Sequence, residues 1–232
     1  MTEANGSTNY IIQTKGLSKS YKGQRGVIEV LKNINLVVKK GEMIGVIGES
    51  GAGKSTLLNI LGLLDKPTSG QYYIEGAICN DFSDKKKSLY RNSLFGFIIQ
   101  DYALVEKYTV RENLSLPFLY RKGKKVQNAE EKIRAVLDDF GILDKKDELA
   151  ANLSGGQRQR VAIARSIIND PEIILADEPT AALDSKNSEY VLNVLDDLKA
   201  SGKTIILVTH DMSVAGRCDR IIEMENGELT YL

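Results

Sequence analysis

The chain has 232 residues, 42% hydrophobic and 27% charged, which is enough for one sizeable core and ordinary for a globular protein. Lys+Arg and Asp+Glu both number 31, so no net basic field argues for a nucleic-acid partner. Cys79 and Cys218 form neither a metal-binding spacing nor a redox pair, and read as free thiols of a reducing compartment.

Residues 1–9 are polar and read as a disordered lead-in without the apolar region of a signal peptide. Thr2 stands where N-myristoylation needs glycine. From Ile11 the pattern predicts strands: "YIIQTKGLSKSY", "VIEVLKNINLVV" and "MIGVIG", with "GQRG" (23–26) as a turn. A helix over "GKSTLLNILGLL" follows, then a strand "GQYYIEG", a polar helix "SDKKKSLYRN" and a strand "LFGFII". Residues of about 101–165 carry helical rather than strand periodicity. Within them "VRENLSLPFLY" suits a helix interrupted near Pro117. "NAEEKIRAVLDDFG" places Ile133, Val136, Leu137 and Phe140 on one face, with Gly141 as its stop. Strand–helix alternation then resumes with "EIILAD", "SKNSEYVLNVLDDLKA", "TIILVTH", a short helix and "RIIEMENGEL". Buried Ile/Leu/Val strands alternating with helices predict an α/β protein with a mostly parallel sheet. The basic runs "KKK" (85–87) and "RKGKK" (121–125) read as solvated surface. The longest apolar runs are strand-sized, so membrane contact is expected to go through a partner.

Three stretches carry chemistry. Gly48–Ser55, "GESGAGKS", fits G-x-x-x-x-G-K-[ST], follows a strand and opens a helix. Bare glycine N–H groups close around phosphates, Lys54 supplies a charge for the β- and γ-phosphates, and the Ser55 hydroxyl is placed to ligate Mg²⁺. The loop as a whole, Gly48, Glu49, Ser50, Gly51, Ala52, Gly53, Lys54, Ser55 and Thr56, is the candidate ATP cradle. The second stretch is "IILADEP" (173–179), which ends a buried strand on two acids. Ligands sit at such strand ends in open α/β sheets, so Asp177 is a candidate Mg²⁺ ligand and Glu178 a candidate for polarising the attacking water. The competing reading of the pair is a helix N-cap. The third stretch, "LSGGQRQRVAIARSI" (153–167), opens a long helical pattern on Ser154, Gly155, Gly156 and Gln157. It looks like a second anion-binding helix start, although Ser caps followed by glycine are common without any ligand.

Together these motifs resemble the ATPase subunit of ABC transporters, whose signature is "LSGGQ", and the likeness covers residues 10 to 230. The resemblance implies a P-loop NTPase core with a mostly parallel sheet, an N-terminal antiparallel β subdomain and an inserted helical subdomain at about 101–165. It implies that Tyr21 stacks on adenine and that Gln100 touches Mg²⁺ and the attacking water. It further implies that Asp184, in "AALDS", crosses to the opposite subunit and that His210, the sole histidine, contacts the γ-phosphate. Two subunits of the family pair head to tail, so the signature of one covers the ATP on the phosphate loop of the other. That explains two phosphate-binding sequences in one chain: they are halves of one site in different copies. Moving such a closure from 1:99 to 99:1 needs about 5.5 kcal/mol of differential binding. Several charge-assisted hydrogen bonds at two sites are of that size.

"LLNILGLLDKPTSGQYYIEG" and "FGFIIQDYALVEKYTVRENLSLPFLY" resemble the MacB/LolD-type branch, which serves macrolide efflux, lipoprotein release and antimicrobial-peptide export or resistance. The resemblance implies an integral membrane permease as partner, with a periplasmic or extracellular accessory protein as a further one, and a location at the cytoplasmic face of the membrane. Tyr102, Leu104, Val105 and Tyr108 are read either as its apolar contact or as core. The expected function is ATP hydrolysis that powers export, with ATP and Mg²⁺ as cofactors. Its rivals are mechanical or sensory work on a membrane partner and a soluble ABC protein of translation or repair. The latter would carry two such domains or a long coiled coil, and neither pattern is present here.

Overall fold

The computed structural model describes residues 9–23, 26–121, 127–181 and 183–232. The expected lead-in, the "GQRG" turn and most of the "RKGKK" run fall outside these residues or on their edges.

Two sheets organise the chain. The first is antiparallel, in the order β2 (Gly26–Ile34), β1 (Tyr10–Gly23), β5 (Ser69–Ile74) and β6 (Ala77–Ile78), with β3 (Val37–Lys39) also on β1. The second has six strands, in the order β11 (Glu228–Tyr231), β10 (Arg220–Glu225), β4 (Met43–Ile47), β9 (Thr204–Thr209), β8 (Ile173–Asp177) and β7 (Phe95–Ile98). Its strands run parallel from β10 to β7, and only β11 turns back. Asn226 and Gly227 both have positive φ, 48° and 83°, which is the backbone a two-residue hairpin between β10 and β11 requires.

Period-two alternation divides the core at the parallel sheet. Ile44 and Val46, Ile173 and Leu175, and Ile206 and Val208 face one cluster, which includes α1 (Lys54–Leu61) and the antiparallel sheet. Met43, Ile174 and Ala176, and Ile205 and Leu207 face the other. That second cluster is closed by α3 (Val110–Leu119), α4 (Ala129–Asp139), α5 (Gly155–Ile167) and α6 (Ser185–Ala200). Both faces of the sheet are therefore buried, as its near-continuous apolar strands require. The predicted face of α4 holds: Ile133, Leu137 and Phe140 are buried, and Gly141 follows at φ 59°.

Three expectations are revised. "VIEVLKNINLVV" forms two strands, β2 and β3, because the ladder stops at Asn35 and Leu36; Asn33, at φ 49°, lies inside β2 where its pairing with β1 shifts register. Pro117 does not interrupt α3, which continues to Leu119. The proline falls in the last turn, where one missing N–H costs a single bond, while buried Val110 and Leu114 hold the helix against the core. Of the "KKK" run in α2 (Asp84–Ser93), Lys87 is buried, and burial lowers its pKa; Lys66 and Arg91 nearby add to the effect. Of the four residues read either as a partner contact or as core, Tyr102 and Leu104 are half-buried, Leu104 against the second cluster, while Val105 and Tyr108 are exposed.

Candidate functional site

The parallel register aligns the C-terminal ends of four neighbouring strands. Ile47 pairs with Thr209, Val208 with Asp177, and Ala176 with Ile98. The segments that follow these ends carry the phosphate loop, Glu178, His210 and Gln100. Residues separated by up to 162 positions thus meet at one sheet edge, where ligands of open α/β sheets bind. They line a cleft of about 730 Å³. Its walls include Glu49, Ser50, Gly51, Gly53, Lys54, Ser55, Thr56, Gln100, Asp177, Glu178 and His210.

Glycine shapes the loop at two points. A Cβ on Gly48 would lie 2.2 Å from the Met224 carbonyl oxygen, and Gly53 caps α1 at φ 110°. Lys54 is 7% exposed, and its Nζ donates to the carbonyls of Gly48 at 2.6 Å and Glu49 at 2.9 Å. The ammonium is thereby held inside the loop that its motif assigns to phosphate. The Ser55 hydroxyl donates to Asp177 Oδ1 at 3.2 Å. Burial raises the pKa of Asp177, the bond from Ser55 opposes that rise and the Glu178 charge adds to it.

Glu178 sits just past β8 with φ 47°, a sparsely populated conformation for a residue with a side chain. Its Oε1 lies 2.9 Å from His210 Nδ1, and its Oε2 accepts from the Thr209 hydroxyl at 3.2 Å. The nitrogen facing the carboxylate carries the hydrogen, which leaves Nε2 as the ring's other hydrogen-bonding atom. Neither Asp177 nor Glu178 caps a helix; the cap of α6 is Asp184. Hydroxyl, carboxylate and amide oxygens of Ser55, Asp177 and Gln100 are hard donors suited to Mg²⁺. Among the described residues no cluster of three or more His, Cys, Asp or Glu is placed to hold a metal. A cation here would therefore draw further ligands from a phosphate and water.

The remaining sequence candidates lie outside this cleft. Tyr21, near the end of β1, is 41% exposed; its hydroxyl donates to Asp65 Oδ2 at 2.6 Å, and Lys19 Nζ stands 4.6 Å from the ring centroid. Ser154 caps α5 in a reciprocal box: its Oγ accepts from the Gln157 N–H, and its own N–H donates to Gln157 Oε1 at 2.9 Å. Ser154, Gly156 and Gln157 line a separate cavity of about 250 Å³ with Arg160 and Asn187. Gly155 adjoins them on the first turn of α5. Asp184 is exposed and accepts from the Asn187 N–H at 2.8 Å and its Nδ2 at 2.9 Å; the N–H bond lowers its pKa.

The sequence reading missed three residues. Thr209 precedes the histidine already singled out, and its place at a strand end was a readable signal. Gln159 and Asn187 contact the site's loops through the fold and carried no local signal. Asn187 explains Gly156: a Cβ there would lie 2.5 Å from Asn187 Oδ1. Gly156→Ala is expected to displace Asn187 from Asp184 and lower hydrolysis at least about tenfold, with the fold retained by circular dichroism. Wild-type turnover in that variant would show that the contact is dispensable.

A buried parallel sheet, a phosphate loop at one strand end and paired acids at its neighbour define a P-loop nucleotide-binding ATPase. A family profile described as ABC transporter matches residues 31–181. The chain is similar to the macrolide export ATP-binding/permease protein MacB of Psychrobacter cryohalolentis, 45% identical over 97% of this chain and 34% of that protein. It therefore spans about a third of the length of such relatives. It is also similar to the ABC transporter ATP-binding protein YvrO of Bacillus subtilis, 43% identical over 94% of this chain and 95% of that one. Among solved structures it resembles the ATP-binding cassette MJ0796, as a dimer in a post-hydrolysis state bound to ADP and Pi. That likeness has a TM-score of 0.87 at 40% identity and covers 95% of this chain and 98% of that one. The chain belongs to the ABC transporter family, as its ATP-binding, ATP-hydrolysing domain.

Proposed function

We propose that the chain pairs head to tail with a second copy, hydrolyses ATP at the shared interface and powers a membrane permease that exports its substrate. One observation carries the reading: the phosphate loop, Asp177, Glu178, His210 and Gln100 converge in one cleft, while Ser154–Gln157 lie in another. A γ-phosphate held from one side by Lys54 leaves oxygens that a second chain's helix N-terminus can cover.

In this reading Gly48–Thr56 bind the phosphates and Tyr21 stacks on the adenine. Ser55, Asp177 and Gln100 would hold Mg²⁺, which neutralises charge on the β- and γ-phosphates when bound. Glu178 takes the proton from the attacking water, and His210, oriented by Glu178, contacts the γ-phosphate. The partner's signature covers the remaining oxygens, and Asp184 reaches across the interface. In-line attack is then a matter of positioning and charge stabilisation.

Among the described residues no helix is long and apolar enough to cross a membrane. We place the chain at the cytoplasmic face, held there by the permease. Its docking site is a groove of about 450 Å³ lined by Leu64, Phe95, Phe97, Pro117, Tyr120 and Arg165 among others. Arg165 donates to the carbonyls of Tyr102 and Ala103, which ties the groove to the segment after Gln100. The names of the MacB relatives support export of a macrolide-like substrate, and the MacB/LolD-type resemblance of the sequence adds a peptide- or lipoprotein-like one. The test is affinity purification of Glu178→Gln from native membranes with ATP. A polytopic membrane protein in the eluate is expected; a soluble particle with ribosomal or nucleic-acid partners would overturn the transporter.

A further inference from the structure

Gln159 lies in the second turn of α5, two residues beyond the "LSGGQ" sequence, and is 2% exposed. Its Nε2 donates to the Pro179 carbonyl at 2.9 Å, and its Oε1 is buried without a hydrogen-bond partner. Pro179 directly follows Glu178, whose backbone is held at φ 47°. An orphaned buried acceptor is a cost, and natural cores keep few of them. A leucine at this place on the helix would bury as well without it. The position therefore keeps an amide for its one bond, to the loop that carries the glutamate.

A second contact ties the same two elements. Gly156 packs against Asn187, and Asn187 is held by both oxygens of Asp184. The segment from Asp177 to Asn187 is thus fastened to the first turns of α5 at both of its ends. We infer that Gln159 is a positioning residue, which sets Glu178 of its own chain according to how that chain's signature sits on the ATP of its partner. It acts through the Pro179 carbonyl, at the point where a shift of α5 is passed directly to the glutamate's backbone. This rests on the head-to-tail dimer proposed above and adds a physical link between its two sites.

The experiment uses mixed dimers in which one glutamate works. In the first mixture Gln159→Leu chains meet a large excess of Glu178→Gln chains, so the working glutamate and the altered Gln159 share a chain. In the second, wild-type chains meet a large excess of chains carrying both substitutions, so they lie in different chains. Hydrolysis per working site is expected to fall about tenfold in the first mixture, the rate equivalent of one net hydrogen bond, and to stay within about twofold of wild type in the second. A loss confined to the second mixture, an equal loss in both, or no loss in either overturns the proposal. Gln159→Met run in parallel keeps the test decisive if the leucine variant fails to fold. ATP-dependent dimerisation of Glu178→Gln alone, followed by gel filtration, is the separate check. Its failure would refute the dimer, whereas its success with unchanged turnover in the first mixture would refute only the role of Gln159.

Discussion

Replacing Glu178 with Gln is expected to lower ATP turnover about 10³-fold, leave nucleotide affinity nearly unchanged and trap an ATP-bound dimer. The magnitude follows from what the substitution removes. Both carboxylate oxygens are engaged, one with His210 Nδ1 at 2.9 Å and one with the Thr209 hydroxyl at 3.2 Å. An amide keeps the shape and one acceptor, so the loop survives. It cannot take a proton from water, and general-base contributions of this kind span about 10²–10⁴-fold. In the proposed site the phosphates are held elsewhere, by the loop and Lys54, so binding and turnover are expected to separate. The backbone strain at φ 47° is the same for both residues, so the melting temperature is expected to move little. Single-turnover hydrolysis beside equilibrium binding of a fluorescent ATP analogue checks the split. Turnover within tenfold of wild type would remove Glu178 from its assigned place.

What the sequence disclosed depended on how local the physics was. The phosphate loop is legible because its chemistry, glycines for close approach and a lysine and serine at fixed offsets, lies within eight residues. Asp177 and Glu178 are legible because an acid pair ending a run of four apolar residues has few other uses. The two faces of the parallel sheet follow from strand alternation. Gln159 and Asn187 were invisible because each contact joins elements brought together only by tertiary packing, and an amide on a helix has no periodic signature. Pro117 misled because a local rule about helix breaking competes with burial of Val110 and Leu114, and here burial decides. Lys87 misled for the opposite reason: a charge run implies solvent, yet one turn of α2 places its third lysine inside. His210 alone is bland; its bond to Glu178 gives it meaning.

Lys54→Met is expected to weaken ATP binding about 100-fold and to abolish turnover at ATP concentrations that saturate the wild type. Methionine keeps the length and the apolar stem, which matters because the position is only 7% exposed. What disappears is the ammonium and its three donors. Hydrogen bonds to charged groups contribute about 1.5–3 kcal/mol each, and about 1.4 kcal/mol is tenfold in affinity, so loss of one such contact already gives about tenfold to 100-fold. A second effect runs in parallel. The ammonium also closes the loop by bonding the Gly48 and Glu49 carbonyls, so the variant loses a brace as well. Thermal shift separates the two. A lost brace lowers the melting temperature without ligand, whereas a lost phosphate contact removes the rise that saturating ATP produces by mass action. Adenosine, which has no phosphates, provides the control and is expected to bind both proteins alike. If ATP raised the melting temperature of Lys54→Met as much as that of the wild type, the lysine would serve only the loop, and the phosphates would be held by the glycine N–H groups alone.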